Sequence, residues 1–333
     1  MTNNNYFTNK VGIITGAAGF IGSHLTDKLL GLGSRIIGID NCLTGKKKNL
    51  HSALKQTNFT FYQTDIIPEQ ALIPLLDKVG STYGQIDFMA HLASPASPPL
   101  YQRYPCETYL VNSLATHNLL SWLKSQAPSA RFLFASTSEV YGDPLVHPQK
   151  EDYWGNVNPN GVRSCYDESK RMGETIGGVF YRDFGLDVRI MRIFNTYGPR
   201  MDLQDGRILP QFIKQALAGE KLTIYGDGSQ TRSYCYVDDL VAGIVSYLSA
   251  PALAGATLNL GNPVEFSVKQ TAKIFNQLLG RSTNEIEYLP LPADDPKKRQ
   301  PDISKAKKLL GFTPQVSFKQ GLAQMLASYQ LIK

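Results

Sequence analysis

The stretch TGAAGFIGSHL, residues 15–25, constrains the fold of this chain more than any other feature. Gly16, Gly19 and Gly22 stand between an apolar run, Val11–Thr15, and a segment in which Ile21, Leu25 and Leu29 recur at i, i+4 and i+8. Glycines there permit a tight turn and let the backbone approach a pyrophosphate, which a helix N-terminus then holds. Glycines punctuate many turns, and it is the strand–turn–helix setting that gives these their meaning. Five more runs, Arg35–Asp40, Phe59–Asp65, Ile86–Ala93, Arg131–Thr137 and Asp187–Asn195, are nearly continuous in apolar residues, as in strands buried on both faces of a parallel sheet. Stretches suited to helices alternate with them. The pattern predicts an α/β protein doubly wound around a parallel sheet.

After Asn195 proline and glycine become frequent and the alternation breaks. TLNLGNP, residues 257–263, reads as one more strand, so the chain is expected to return to the first sheet. The expected division is a dinucleotide-binding domain of residues 1–195 plus about 231–262, and a smaller substrate domain of 196–230 plus 263–333.

With 42% apolar and 19% charged residues among 333, the chain can bury a substantial core. MTNNNYFTNK carries no apolar run of a signal peptide, and no stretch approaches ~20 apolar residues. Cys42, Cys106, Cys165 and Cys235 lie far apart, which speaks against zinc or a disulfide framework and for a reduced, cytoplasmic protein. Cys165 reads as a structural thiol, and the five histidines show no metal-ligand spacing. The net charge of +6 gathers in GKKKNL and DDPKKRQPD without a nucleic-acid motif around either, and it suits an anionic small substrate.

Three features carry chemistry. Asp40 ends the second run, 18 residues beyond Gly22, where a carboxylate binds a ribose diol and repels the extra phosphate of NADP; the cofactor expected is NAD. SCYDESKR places Tyr166 and Lys170 at i and i+4 on one helix face. An ammonium there is expected to favour the phenolate, and so a base for a sugar hydroxyl. FASTSEVYG ends an apolar strand in Thr137, Ser138 and Glu139. A lone glutamate at a strand end is ordinarily solvated, so Glu139 has a role only if a cleft forms there.

The G-x-x-G-x-x-G spacing, with Thr137, Tyr166 and Lys170, resembles the extended short-chain dehydrogenase/reductase family. Nucleotide-sugar epimerases of that family generally lack a carboxylate at the position of Glu139. The 4,6-dehydratases and the UDP-glucuronate decarboxylases have one, and both need proton transfer at carbon 5. ASPASPPLY (93–101), the stretch from STSEVYG to CYDESKR (136–171) with its YWGNVNP block, RIFNTYGPRM (192–201), YGDGSQTRSYCYVDDL (225–240) and DDPKKRQPDI (294–303) are similar to the decarboxylases. A longer segment at 68–84 departs from that pattern and reads as a surface variation.

The resemblance implies NAD-dependent conversion of UDP-glucuronate to UDP-xylose and carbon dioxide. Tyr166 is then the base, tuned by Lys170, with Thr137 and Ser138 beside the sugar. Glu139 serves carbon 5, its carboxyl expected to be held partly protonated beside an anionic substrate. Arg299 lies near the substrate, and Asn195, Arg207, Tyr225 and Arg232 complete its site. The cofactor site takes in Gly16, Ala18, Gly19, Phe20, Ile21, Gly22, Asp40, Asn41, Thr44, Gly45, Asp65, Ile66, Leu92, Ala93 and Ser94, besides Tyr166 and Lys170. A 4,6-dehydratase or a 4-epimerase is the rival enzyme, and a non-catalytic NAD sensor or scaffold the rival of another class. A homodimer is expected, because Thr108–Lys124 is apolar nearly all round (Tyr109, Leu110, Val111, Leu114, Leu119, Leu120, Trp122, Leu123).

Overall fold

The computed structural model describes residues 4–290 and 299–332. Its centre is a seven-stranded parallel sheet: β1 (Val11–Thr15), β2 (Arg35–Asp40), β3 (Phe59–Gln63), β4 (Phe88–His91), β5 (Arg131–Thr137), β6 (Val188–Ile193) and β7 (Thr257–Leu260). The order across the sheet is β7-β6-β5-β4-β1-β2-β3. The direction of winding reverses between β1 and β4, and the crevice beyond their C-terminal ends is where a ligand of such a sheet binds. Three strands are shorter than the sequence pattern suggests. Asp65 has left the ladder to accept a hydrogen bond from the Ile67 N–H at 2.9 Å, and Leu92–Ala93 and Phe194–Asn195 leave it to line the crevice.

Helices α1 (Phe20–Gly31), α2 (Glu69–Tyr83), α3 (Pro98–Arg103), α4 (Pro105–Asn112), α5 (Leu114–Gln126), α6 (Ser164–Phe184), α7 (Ile208–Leu217) and α8 (Val237–Ser249) follow in chain order. Leu25 and Leu29 of α1 and Leu240 and Ile244 of α8 fill one layer against the sheet. Leu72, Leu76 and Val79 of α2, Leu119, Leu120 and Leu123 of α5 and Phe180 of α6 fill the other. Segment 68–84 is therefore a core-forming helix and no surface variation, because its apolar residues at i, i+4 and i+7 cover the sheet. Segment 108–124 also differs from expectation. It breaks at Ser113 into α4 and α5, and Val111, Leu119, Leu120, Trp122 and Leu123 are spent on this chain's own core. Tyr109 and Leu114 stay exposed.

Beyond β6, besides β7, α7 and α8, the described residues form three short strand pairs: Thr196–Tyr197 with Cys235–Tyr236, Thr231–Ser233 with Glu265–Ser267, and Leu222–Tyr225 with Ile286–Leu289. These stand over the C-terminal ends of the strands and wall the crevice from the other side. Among the described residues no helix is long and apolar enough to cross a membrane.

Candidate active site

The glycine loop packs as its sequence requires. Gly16 has a φ of +75°, and a Cβ on it would stand 2.6 Å from the Ala93 nitrogen; a Cβ on Gly22 would collide with the Gly16 carbonyl oxygen. Only glycine lets α1 begin this close to the end of β1. Asp40, at the tip of β2, is buried and accepts hydrogen bonds from the Ala18 N–H at 2.9 Å and the Cys42 N–H at 2.7 Å. Burial raises its pKa, against the pull of those N–H groups. Gly45 must be small, since a Cβ there would come within 2.9 Å of the Asp40 carboxylate. Asp40, Asn41, Thr44, Asp65, Ile66, Ala93 and Ser94 line one small cavity. Gly16, Gly19, Phe20, Ile21, Gly22, Thr44, Leu92 and Ser94 line the large cleft beside it.

That cleft, of about 310 Å³, continues past the glycine loop to Thr137, Ser138, Glu139, Tyr166, Lys170, Asn195, Arg207, Arg232 and Arg299. Asn195, Arg207 and Arg232 also border an adjoining cavity of about 370 Å³ that Tyr225 lines. Residues expected to serve one cofactor and one substrate thus lie around one continuous opening. Of the segment 294–303, residues 294–298 lie outside the described residues, and Arg299 within them.

Thr137 is the last residue of β5, and Tyr166 and Lys170 sit one turn apart on α6. The Thr137 hydroxyl accepts from the Glu139 N–H at 3.3 Å and acts to lower the pKa of the Tyr166 phenol. Lys170 Nζ donates to the Ala135 carbonyl at 2.7 Å and lies 5.7 Å from the centre of the Tyr166 ring. The expectation that the ammonium holds the phenol down is not met in this cleft. Burial pushes Tyr166 up to about 12, with Thr137 and then Arg207 opposing it, and burial pulls Lys170 down to about 7. Removing a charge from water outweighs a neighbour that has itself lost part of its charge. Tyr101, on α3, stacks on Tyr166 with centroids 5.1 Å apart and planes 5° from parallel, fixing the ring's orientation. Behind them, Glu174 of α6 accepts from Ser136 at 2.5 Å and binds Arg192 of β6 through both oxygens at 2.9 and 2.7 Å. This ties the helix to the strand ends that carry Thr137.

Glu139 lies on the short 3₁₀ turn Ser138–Tyr141 that follows β5. It is not solvated: Arg163 binds its Oε2 and Arg299 its Oε1. Arg299 is 5% exposed, also donates to the Gly142 carbonyl at 3.3 Å, and leaves its Nε buried without a partner. Burial lowers the pKa of Arg299 to about 10. The protein's own groups around Glu139 are thus cationic; the anionic neighbour expected from the sequence is the substrate itself. Arg163 and Tyr101 escaped sequence reasoning. Arg163 stands three residues before Tyr166, within the block that carries the resemblance, and Tyr101 at the end of ASPASPPLY gives no pattern of its own.

Comparison with known proteins agrees with this architecture. The family model for GDP-mannose 4,6 dehydratase matches residues 13–325. UDP-glucuronic acid decarboxylase 1 of Arabidopsis thaliana is 47% identical over 318 residues, 96% of this chain and 69% of that protein. The protein of the same name in Xenopus tropicalis is 48% identical over 93% of this chain and 70% of its own length. Among solved structures, UDP-glucuronic acid 4-epimerase from Bacillus cereus, in complex with UDP-glucuronic acid and NAD, superposes with a TM-score of 0.84 at 31% identity, covering 97% of this chain and 100% of that one. A dTDP-glucose 4,6-dehydratase from Streptomyces venezuelae with NAD bound gives 0.84 at 27% identity, covering 96% and 97%. With the glycine loop, the Tyr–Lys helix and matches over most of this chain in hand, the chain belongs to the GDP-mannose 4,6 dehydratase family of extended short-chain dehydrogenases/reductases, and within it to the group of the UDP-glucuronic acid decarboxylases.

Proposed function

We propose that the protein converts UDP-glucuronate to UDP-xylose and carbon dioxide with NAD as a recycled cofactor. The observation that carries this reading is the Glu139–Arg163–Arg299 cluster, set beside a Thr–Tyr–Lys set that a simple dehydrogenase would find sufficient. The names of the relatives support it. The glycine cradle and Asp40 suit NAD, since the loop admits a pyrophosphate and Asp40 keeps acceptor capacity for ribose hydroxyls. When bound, NAD supplies a cationic ring that takes up a hydride and later returns it, so the overall reaction is redox-neutral.

The chain's residues do the rest. Tyr166, as its phenolate, takes the proton from the carbon 4 hydroxyl, with Thr137 orienting that oxygen and Ser138 beside it; Lys170 steadies the phenolate until that transfer. Oxidation at carbon 4 leaves a ketone β to the carboxylate, and the ketone receives the electron pair that departing carbon dioxide leaves behind. Arg299 takes hold of the incoming carboxylate, and Glu139, once freed of its guanidiniums, guides the proton delivered to carbon 5. Asn195, Arg207, Tyr225 and Arg232, around the adjoining cavity, hold the nucleotide diphosphate. In this reading the sheet with its glycine loop serves the dinucleotide, and segments 196–230 and 263–333 serve the nucleotide sugar.

A homodimer belongs to the same proposal. Tyr109, Leu114, Met172 and Phe184 are exposed on the neighbouring helices α4, α5 and α6, an apolar face that a second copy would cover. The four free cysteines support a reduced, cytoplasmic setting.

Incubating the purified protein with UDP-glucuronate and following products by NMR tests the function. UDP-xylose with carbon dioxide is expected. UDP-galacturonate, or an unchanged sugar, would overturn the decarboxylase reading.

A further inference from the structure

Arg163 lies between two carboxylates. Its Nη2 binds Glu139, while its Nε lies 3.8 Å from Asp167 Oδ2, one turn along α6. That second contact is too long for a good hydrogen bond. Asp167 itself is 7% exposed, and its Oδ1 is buried with no hydrogen-bond partner. A buried carboxylate oxygen without a donor is costly and calls for an explanation. Burial pushes the Asp167 carboxyl up to about 6, with Arg163 the main opposing influence. No other cation is paired with Asp167 among the described residues, and it follows Tyr166 directly in the chain.

Glu139 cannot guide a proton while both its oxygens are bound to guanidiniums. Something must take Arg163 from it, and the vacancy at Asp167 is within reach of a change in the arginine's side-chain rotamers. We propose that Asp167 is a positioning residue that receives the Arg163 guanidinium when substrate binds, and so frees Glu139. The structure shows one position of this exchange, Arg163 on Glu139, and the unsatisfied Oδ1 of Asp167 marks the other. The inference rests on the decarboxylase reading only for the step that Glu139 serves. The contest of two carboxylates for one guanidinium is a property of the chain.

A double-mutant cycle tests it. Asp167→Asn keeps the size, removes the charge and should fold; Asp167→Ser stands in if it does not. In the wild-type background the change should lower kcat for carbon dioxide release about tenfold while KM for UDP-glucuronate moves less than threefold, since Asp167 does not touch substrate. In an Arg163→Ala background the same change should cost less than twofold, because the residue it acts through is gone. A merely structural Asp167 would lower melting temperature and give the same fold-loss in both backgrounds, and that additivity would overturn the proposal. The failure of the functional reading is distinguishable. If wild type releases no carbon dioxide, the cycle is read on UDP-glucuronate binding by calorimetry. There the exchange still predicts coupling of about twofold between positions 163 and 167, and its absence would sink the proposal on its own.

Discussion

The two halves of the cleft are built on opposite principles. Thr137, Tyr166 and Lys170 form a dry half, in which burial moves the phenol to about 12 and the amine to about 7. Glu139, Arg163 and Arg299 form a charged half, in which opposite charges hold one another. The first half stores its reactivity as unsettled protonation, ready to change when a charged ligand enters. The second spends its charges on itself until a second carboxylate arrives. A hydride step calls for the first kind of environment, and handling a substrate carboxylate for the second.

The sharpest test of that contrast is Tyr166→Phe, which removes one hydroxyl from the dry half. Turnover should fall by ~10³-fold or more, the scale of losing a general base, with NAD and UDP binding nearly intact by calorimetry. Activity within tenfold of wild type would exclude Tyr166 as the base.

Glu139→Gln should cost about 100-fold in carbon dioxide release while oxidation at carbon 4 persists, so a 4-keto sugar becomes trappable by reduction and mass spectrometry. The charged half adds a second signature. Neutralising Glu139 leaves the Arg299 guanidinium, 5% exposed, without a counter-charge, and Arg163 with only the more distant Asp167. Stability should drop by on the order of 3 kcal/mol. UDP-glucuronate should restore it more fully than UDP-glucose, whose sugar has no carboxylate. Equal rescue by both sugars would break the comparison.

Asp40→Ala should narrow the preference for NAD over NADP roughly tenfold, about 1.4 kcal/mol, read as a ratio of dissociation constants. Unchanged discrimination would remove Asp40 from that role.

The smallest expected effect concerns Lys170 and pH. Burial lowers its folded-state pKa to about 7, against roughly 10.4 in an unfolded chain. Between those values the unfolded chain keeps a proton that the folded protein has shed, so this group's contribution to stability rises with pH across that window. Below about 7 both states hold the proton, and the cost of burying the cation is felt in full. Lys170→Met should therefore melt a few degrees above wild type at pH 6 and lose the rise between pH 7 and 10, while turnover disappears. A variant parallel to wild type across that range would show that the amine is not held near neutrality.

Local rules were enough for much of the molecule. Short, nearly continuous apolar runs alternating with helical stretches fit strands buried on both faces, so the succession β1 to β6 and the return strand at 257–260 were legible along the chain. The glycine loop followed from sterics, and the Tyr166–Lys170 pair from helix periodicity, which operates over four residues. The partners of Glu139 were another matter. Arg163 is 24 positions away and Arg299 160, and no local pattern reports which distant guanidinium a carboxylate will meet. Tyr101 reaches Tyr166 from 65 positions away by the same kind of folding. The role of α2 was missed because its departure from the family's pattern suggested a surface variation, whereas Leu72, Leu76 and Val79 close the core. Protonation, too, belonged to the tertiary structure. The i, i+4 spacing put an amine by a phenol, but burial then shifted both groups toward their neutral forms, and burial depends on the whole surrounding shell.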